Sequence, residues 1–347
     1  MIGHTDGWSF KSKKILFILQ KQDDKNMEEQ RLDLTLFSEK IERLRQEIAK
    51  VIVGQDEAIE LVLTSILANG HVLIEGVPGV AKTLLARLIA RLVDAGFSRV
   101  QFTPDLMPSD LLGINIFNVK TQEFEFHQGP VFSDIVLVDE INRAPAKTQA
   151  ALFEVMEERQ VSIDGVTHKM GDFYTILATQ NPVEQEGTYR LPEAQLDRFL
   201  MKITMGYPSL DDELEILKRH QEHSNLVKLA DIQPVLSKAE LLQLRSYINK
   251  VVIDESLLRY IAQIVQQTRS TRAVYLGASP RASVAMLQAS KAYALLQGRD
   301  FVTPEDIKQV TPSILQHRLV LTAEAEMEGY TAYKVAQRLI DKVEVPK

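Results

Sequence analysis

The order of apolar and polar positions divides the chain into three parts. From about residue 32 to 68 apolar residues recur every three or four positions, as in amphipathic helices, and Gly54 interrupts that repeat. From about residue 206 onward the pattern again predicts helices. Between these parts, four short and continuous apolar runs alternate with helical stretches: 71–75, 100–102, 135–138 and 174–178. Continuous runs of this length are typical of parallel strands that are covered on both faces.

We therefore predict a doubly wound α/β domain over residues 31–205 and a smaller, all-helical domain over residues 206–347. Two helix-start signals support the second domain. Ser237-Lys238-Ala239-Glu240 has the form of a capping box, and Thr303-Pro304 places proline at a first helical position. Residues 1–30 are interpreted as a polar N-terminal extension that need not be ordered.

Two segments inside the α/β domain have the alternating pattern of β-hairpins. Residues 114–130 alternate through Phe117, turn near residues 120–123 and return through Phe124. Residues 161–170 alternate around Asp164-Gly165, a dipeptide that strongly favours a tight hairpin turn.

Composition excludes several classes of protein. The 347 residues include no cysteine, so neither a disulfide framework, a thiolate zinc site nor a cysteine nucleophile is available. The net charge of −7 disfavours non-specific binding to nucleic acid or to an anionic membrane. No apolar stretch reaches the 18 or so residues that cross a bilayer. We expect a soluble, cytoplasmic protein that neither binds nucleic acid nor inserts into a membrane.

The segment after the first predicted strand has the form of a phosphate-binding loop. It reads Gly76-Val77-Pro78-Gly79-Val80-Ala81-Lys82-Thr83-Leu84 and opens a predicted helix. Backbone N–H groups and the helix N-terminus would attract a polyphosphate, Lys82 would reach its terminal phosphates and Thr83 would hold Mg²⁺. Ala81 stands where a second glycine is usual, and we expect a negative φ there. The alternative is a Gly/Pro turn that only links strand to helix.

Two carboxylates end the third apolar run. Asp139 and Glu140 follow residues 135–138, and parallel strands place such ends at the same edge of the sheet as the glycine loop. Asp139 would hold Mg²⁺, and Glu140 would polarise a water for attack on the γ-phosphate. The alternative is a strand that ends in solvent on two acids.

Four longer segments carry a resemblance to a known family. They span residues 102–113, 139–145, 178–182 and 187–199. Together with the loop and the acidic pair, they resemble the MoxR group of the AAA+ ATPases, within the helix-2-insert clade. The resemblance covers roughly residues 40–320, and it implies a P-loop α/β domain followed by a helical lid.

The resemblance implies roles for three more polar residues. Asn181 corresponds to sensor 1, which helps to position the attacking water, although an Asn-Pro turn is the simpler interpretation. Arg281 corresponds to sensor 2, reaching from the lid to the γ-phosphate, and the alternative is an exposed surface arginine. Arg198 corresponds to an arginine finger aimed at the neighbouring subunit's ATP, and the alternative is a surface ion pair with Asp197.

Other implied contacts remain less defined by the sequence. Arg143 and Arg190 rival Arg198 for contacts across the subunit interface. Val53-Gly54-Gln55 resembles the segment that packs against adenine, with a plain helix-to-helix turn as the alternative. In family terms, residues 114–130 are the helix-2 insert and residues 161–170 the pre-sensor-1 hairpin. Such hairpins point to a ring pore or a partner, and the alternative that they only cover a sheet edge stays open.

The resemblance implies an ATPase that requires ATP and Mg²⁺ and forms a homo-oligomeric ring, with six subunits expected. It also implies remodelling or maturation of client proteins, together with partners that carry von Willebrand factor A domains. Three alternatives remain: a nucleic-acid motor, an ATPase subunit of a metal chelatase, and a scaffold that binds ATP without hydrolysing it. The acidic charge balance disfavours the motor.

Overall fold

The computed structural model describes residues 34–182, 188–189, 191–221 and 229–346. The predicted extension at residues 1–30 and the candidate Arg190 lie outside the described residues. The strands in the described ranges are β1 (Val72–Gly76), β2 (Phe97–Gln101), β3 (Gly113–Asn118), β4 (Glu123–Gln128), β5 (Ile135–Asp139), β6 (Gln160–Ile163), β7 (Val166–Lys169), β8 (Thr175–Gln180), β9 (Met201–Met205), β10 (Val274–Leu276) and β11 (Val320–Leu321).

The α-helices of the same ranges fall into two groups, six within the α/β part and seven after β9. They are α1 (Thr35–Ala49), α2 (Asp56–Leu67), α3 (Lys82–Leu92), α4 (Pro108–Leu112), α5 (Ala146–Glu158), α6 (Glu193–Leu196), α7 (Leu210–Gln221), α8 (Lys238–Ile248), α9 (Glu255–Ser270), α10 (Pro280–Leu296), α11 (Pro304–Leu315), α12 (Ala323–Met327) and α13 (Ala332–Lys342). None of the helices described is long and apolar enough to span a bilayer.

The central sheet is parallel throughout the described residues, in the order β2-β5-β8-β1-β9. Alternate residues of each inner strand enter different cores. Val72 and Ile74 pack with α3 and the helical C-terminal part, whereas Leu73 packs on the opposite face with α5. The continuous apolar runs therefore exist because both faces are covered, which confirms the predicted α/β fold class.

The strands differ from the sequence prediction in two places. The prediction of four strands missed β9, an edge strand in which Lys202 and Thr204 alternate with three buried apolar residues. Such an alternating run of five residues is too short to separate a strand from a helix by period. The C-terminal part is helical as predicted, but it also holds the antiparallel ribbon β10–β11. Strands of three and two residues leave no detectable repeat.

Both hairpin segments form antiparallel ribbons that touch each other. The strands β3 and β4 pair from Gly113 opposite Gln128 onward, and β6 pairs with β7 around the Asp164-Gly165 turn. The Asn115 side-chain amide donates to the Asp164 carboxylate at 2.6 Å. The rings of Phe126 and His168 stack with centroids 4.1 Å apart. The two ribbons therefore contact each other through a hydrogen bond and a ring stack.

Arg318 fixes the helical C-terminal part to the α/β part. This buried guanidinium, just after α11, donates to the Asp197 carboxylate at 2.6 Å and to the carbonyl of Phe199 at 2.8 Å. Burial lowers the pKa of Arg318 below its usual value, but the Asp197 charge opposes that shift. The chain entering β9 is therefore held by the end of α11, and the two parts share one continuous apolar core.

A buried histidine links β1 to α5 and β8. His71 Nε2 donates to the carbonyl of Met156 at 3.2 Å, and Nδ1 accepts from the backbone N–H of Ile176 at 3.0 Å. The neutral ring satisfies both contacts, whereas a protonated ring would lose the acceptor. Burial, with the nearby Arg159 charge, lowers the pKa of His71 to about 3.

This lowered pKa predicts acid sensitivity of the fold. Unfolded histidine titrates near pH 6.5, so below that pH the unfolded chain binds a proton that folded His71 does not bind. The contribution of neutral His71 to the free energy of unfolding is fully present above pH 6.5 and is lost progressively toward pH 3. The loss is about 2 kcal/mol at pH 5. Urea unfolding at pH 7.5 and 5.0 measures it. His71→Gln, which keeps a donor and an acceptor but cannot titrate, should show a smaller difference. An equal pH dependence in both proteins would contradict the assignment.

Candidate active site

The phosphate-binding loop lies between β1 and α3 and depends on glycine at two positions. A Cβ on Gly76 would lie 2.5 Å from the carbonyl oxygen of Met205, so only glycine lets β1 and the end of β9 approach this closely. Gly79 has a φ of +90°, which side chains rarely adopt. Left-handed residues within a turn direct successive N–H groups to one side, and this arrangement binds anions.

Ala81 does not have the negative φ that the sequence analysis expected. Its φ is +66° and its ψ is +20°, in the left-handed region. The expectation was wrong because the loop must reverse direction immediately before Lys82, where α3 begins. Glycine usually supplies that reversal, whereas an L-alanine there is strained by about 1 kcal/mol.

Lys82 Nζ lies against the inner side of the loop. It donates to the carbonyls of Gly76 and Val77, the latter at 3.0 Å. The ammonium group therefore faces a cleft of about 360 Å³ at the carboxyl edge of the sheet. Nine of the predicted site residues line this cleft, together with Thr179, which was not predicted. The nine are Pro78, Gly79, Ala81, Lys82, Thr83, Leu84, Asp139, Glu140 and Asn181.

Oxygen donors for a divalent cation converge in this cleft. Thr83 Oγ1 donates to Asp139 Oδ2 at 3.4 Å, and Thr179 Oγ1 donates to Asp139 Oδ1 at 2.6 Å. Asp139 itself is buried. Hydroxyl and carboxylate oxygens are the ligands that Mg²⁺ prefers, so the donor set fits that metal.

Glu140 is held in a strained turn directly after β5. Its φ of +56° and ψ of +53° are left-handed, and its backbone N–H donates to Thr179 Oγ1 at 3.0 Å. The Glu140 carboxylate accepts from the Gln101 side-chain amide at 2.9 Å and lies 3.1 Å from Arg143 Nε. Such strain in a non-glycine residue is typical of functional turns. Thr179 therefore contacts both the Asp139 carboxylate and the Glu140 backbone.

Three residues of this arrangement were missed by the sequence analysis: Arg99, Gln101 and Thr179. Arg99 and Gln101 alternate with a buried valine on β2, so they share one face, and Gln101 pairs in register with Asp139. Polar side chains at alternate positions near a strand end were the available signal. That signal indicates contact with Asp139 only when the pairing of β2 with β5 is known.

A second cleft, of about 600 Å³, lies beyond Gly76, where β9 ends. Gly54 and Gln55 line it, whereas Val53 does not, and the Gln55 side-chain amide donates to the carbonyl of Gly206 at 3.0 Å. Tyr207 and Tyr333 also line this cleft, although neither was predicted from the sequence. Both clefts have volumes typical of small-molecule sites.

The two predicted γ-phosphate arginines lie elsewhere. Arg198 Nε is 3.5 Å from one carboxylate oxygen of Glu157, and Arg281 Nη2 is 3.8 Å from the other. Arg281 Nη1 is also 3.8 Å from the carboxylate of Asp197. The two guanidinium groups thus lie side by side at the Glu157 carboxylate.

These arginines lie beside the amino edge of the sheet. Glu157 follows Met156, whose carbonyl accepts from His71, the residue that precedes β1. The N–H of Leu200, just before β9, donates to the carbonyl of His71 at 2.8 Å. The five-residue strands span about 16 Å, and the phosphate loop lies at their other end. The structure therefore gathers Lys82, Thr83, Asp139, Glu140 and Asn181 but does not bring Arg198 or Arg281 to them.

Comparison with known proteins identifies the family of this chain. Residues 71–201 match the model of the ATPase family associated with various cellular activities (AAA), and residues 266–341 match that of the AAA lid domain. The chain is 44% identical over 316 residues to Chaperone MoxR1 of Mycobacterium tuberculosis, covering 88% of this chain and 82% of that protein. The chain belongs to the MoxR family of AAA+ ATPases.

Two further similarities support this membership. Protein YeaC of Bacillus subtilis is 48% identical over 301 residues, which cover 87% of this chain and 93% of YeaC. A crystal structure of a proposed ATPase from Cytophaga hutchinsonii superimposes with a TM-score of 0.83 at 43% identity, covering 94% of this chain and 99% of the other. Membership of the MoxR family implies ATP binding and supports ATPase activity.

The left-handed alanine of this MoxR-family loop leads to a stability prediction. Ala81→Gly removes the steric strain at φ +66° and should stabilise the fold by about 1 kcal/mol in urea unfolding. Ala150→Gly is the matched control, because this exposed alanine lies in the interior of helix α5, where glycine should destabilise by about 0.5–1 kcal/mol. Destabilisation by Ala81→Gly would show that the alanine is not strained.

Proposed function

We propose that this MoxR-family protein hydrolyses ATP with Mg²⁺ at sites shared between neighbouring copies in a ring of six. The observation that carries the proposal is the separation of two chemical groups. The phosphate loop and the acidic pair lie at the carboxyl edge of the sheet, whereas Arg198 and Arg281 lie at the amino edge.

The phosphate half of the site comes from one chain. The loop N–H groups and Lys82 bind the β- and γ-phosphates, and Thr83 with Asp139 holds Mg²⁺. Bound Mg²⁺ supplies charge neutralisation on the phosphate oxygens. The cleft beyond Gly76 offers Gly54 and Gln55 to the adenine base, with Val53 in the preceding turn.

Water activation falls to Glu140 and Asn181, which line the same cleft. Gln101 and Arg143 both hold Glu140 Oε2, so the carboxylate needs to turn away from them before it can accept a proton from water. Since Arg143 already contacts its own chain's Glu140, we place it in this half of the site and not across the interface.

The second half comes from the neighbour and consists of Arg198 and Arg281. Their contacts with Glu157 are longer than hydrogen bonds, and the side chain of Arg281 is 65% exposed. The Arg198 side chain is 30% exposed and also lies 5.8 Å from the centre of the Phe153 ring. Long, partly exposed ion pairs contribute at most about 1 kcal/mol, so a neighbour's γ-phosphate can draw both guanidinium groups away from Glu157. A guanidinium supplied in this way is worth a factor of about 10³ or more in rate.

Asp197 joins this arginine face to the lid. One of its carboxylate oxygens accepts from Arg318 at 2.6 Å, and the other faces Arg281. A shift of the arginines toward a neighbour's nucleotide is therefore passed directly to the end of α11. We propose that the resulting lid motion remodels or matures client proteins, with partners bearing von Willebrand factor A domains. The name of Chaperone MoxR1 supports this role.

Mixed rings test the shared site. Glu140→Gln and Arg198→Ala should each bind ATP but hydrolyse it at least about 10³-fold more slowly than the unmodified protein. An equal mixture should recover about one quarter of the unmodified rate, because one interface in four pairs an intact Glu140 with a neighbour's intact Arg198. Steady-state phosphate release after co-refolding or subunit exchange measures the recovery.

Two matched mixtures sharpen the result. Arg198→Ala mixed with the double variant Glu140→Gln/Arg198→Ala contains no intact pair and should stay inactive. Glu140→Gln mixed with Arg281→Ala should recover only if Arg281 acts across the interface, since an arginine acting within its own chain is never combined with an intact Glu140. Failure of the Glu140→Gln and Arg198→Ala mixture to recover would overturn the shared site.

A further inference from the structure

Arg99 forms an ion pair with Asp139, the metal-binding carboxylate of the proposed site. Its Nε and Nη2 atoms both donate to Asp139 Oδ2, at 3.0 and 2.8 Å. A guanidinium that donates twice to one oxygen is well placed to neutralise it. The Arg99 side chain is 41% exposed, so the guanidinium has solvent into which it can withdraw.

The two oxygens of Asp139 have different partners. Oδ1 accepts the short hydrogen bond from Thr179, which also fixes the Glu140 turn. Oδ2 faces Thr83 Oγ1, at 3.4 Å, and is the oxygen that Arg99 covers. A divalent cation held jointly by Thr83 and Asp139, directly or through its water shell, needs this same oxygen.

We propose that Arg99 and the divalent cation compete for Asp139 Oδ2. Two cations at one carboxylate oxygen repel each other, so the metal enters with its nucleotide only as Arg99 withdraws. Arg99 therefore lowers the affinity for the metal and keeps Asp139 neutralised until the metal replaces it. This inference rests on the proposed function and adds a regulating residue to that site.

The competition reaches Glu140 through one side chain. Arg99 Nη2 also donates to Gln101 Oε1 at 2.9 Å, and this contact turns the amide so that Gln101 Nε2 faces Glu140 at 2.9 Å. When Arg99 withdraws, Gln101 loses the donor that fixes its orientation. Entry of the metal is therefore coupled to the hydrogen bond between Gln101 and the Glu140 carboxylate.

Metal affinity in the presence of ADP tests the competition without relying on turnover. Free Mn²⁺ is counted by electron paramagnetic resonance during titration of the full chain with saturating ADP. Arg99→Met keeps the aliphatic bulk but removes the charge, and it should bind Mn²⁺ about fivefold more tightly, the scale of a partly exposed ion pair. Arg99→Lys, which keeps a charge without the two-donor geometry, should fall between.

Arg87→Met is the matched control. Arg87 lies near the same strand, with its guanidinium 6.0 Å from the Phe97 ring, and removing it eliminates an equal charge without touching Asp139. Its Mn²⁺ affinity should equal that of the unmodified protein. Unchanged or weaker Mn²⁺ binding by Arg99→Met would overturn the competition, as would an equal gain from Arg87→Met.

Two readouts separate this inference from the proposed function. If the unmodified protein binds a fluorescent ADP analogue neither with nor without Mg²⁺, the proposed function fails. If it binds ADP but Arg99→Met has unchanged Mn²⁺ affinity, only the inference fails.

A crystal structure of the unmodified protein with ADP and Mg²⁺ tests the competition without a variant. Arg99 should be beyond hydrogen-bond distance of Asp139 Oδ2 there, and a retained double hydrogen bond would overturn the proposal.

Discussion

The direction of the parallel sheet is the constraint on which the rest of the structure depends. Because all five strands of the described sheet run the same way, each strand end that carries phosphate or metal chemistry falls at one edge. The segments that enter the strands, including Arg198 before β9, fall at the other edge. About 16 Å of strand separates them, so one chain cannot close its own site without a large rearrangement. The shared site that we propose rests on this geometry.

One buried carboxylate and two left-handed residues lie where the chemistry is proposed. The Asp139 carboxylate is neutralised by Arg99 and oriented by Thr179, so its burial carries no unsatisfied charge. Ala81 and Glu140 adopt left-handed conformations that the surrounding packing enforces. The rigid sheet supports this strain, whereas the two arginines at the other edge make longer, partly exposed ion pairs with Glu157. The proposed site, in which a neighbour's arginines bind and release the nucleotide, is consistent with a rigid phosphate loop and with arginines that can move.

Local sequence was sufficient to predict the α/β class and to place the glycine loop and the acidic pair at one edge of the sheet, because each depends on a continuous segment with a marked pattern. It failed at Ala81, since residue type alone does not reveal a φ that the following helix imposes. Arg99 and Gln101 were missed because their role arises from the pairing of β2 with β5. The position of Arg281 depends on how Arg318 docks the lid, a contact between residues far apart in sequence.

The most direct test of the account is the rate of ATP hydrolysis per chain, measured over a wide range of protein concentration beside sedimentation of the same samples with nucleotide. A site built from two copies predicts that the rate per chain rises with concentration in parallel with the assembled fraction and becomes negligible for the monomer. A constant rate per chain, down to concentrations at which only monomers sediment, would contradict the account.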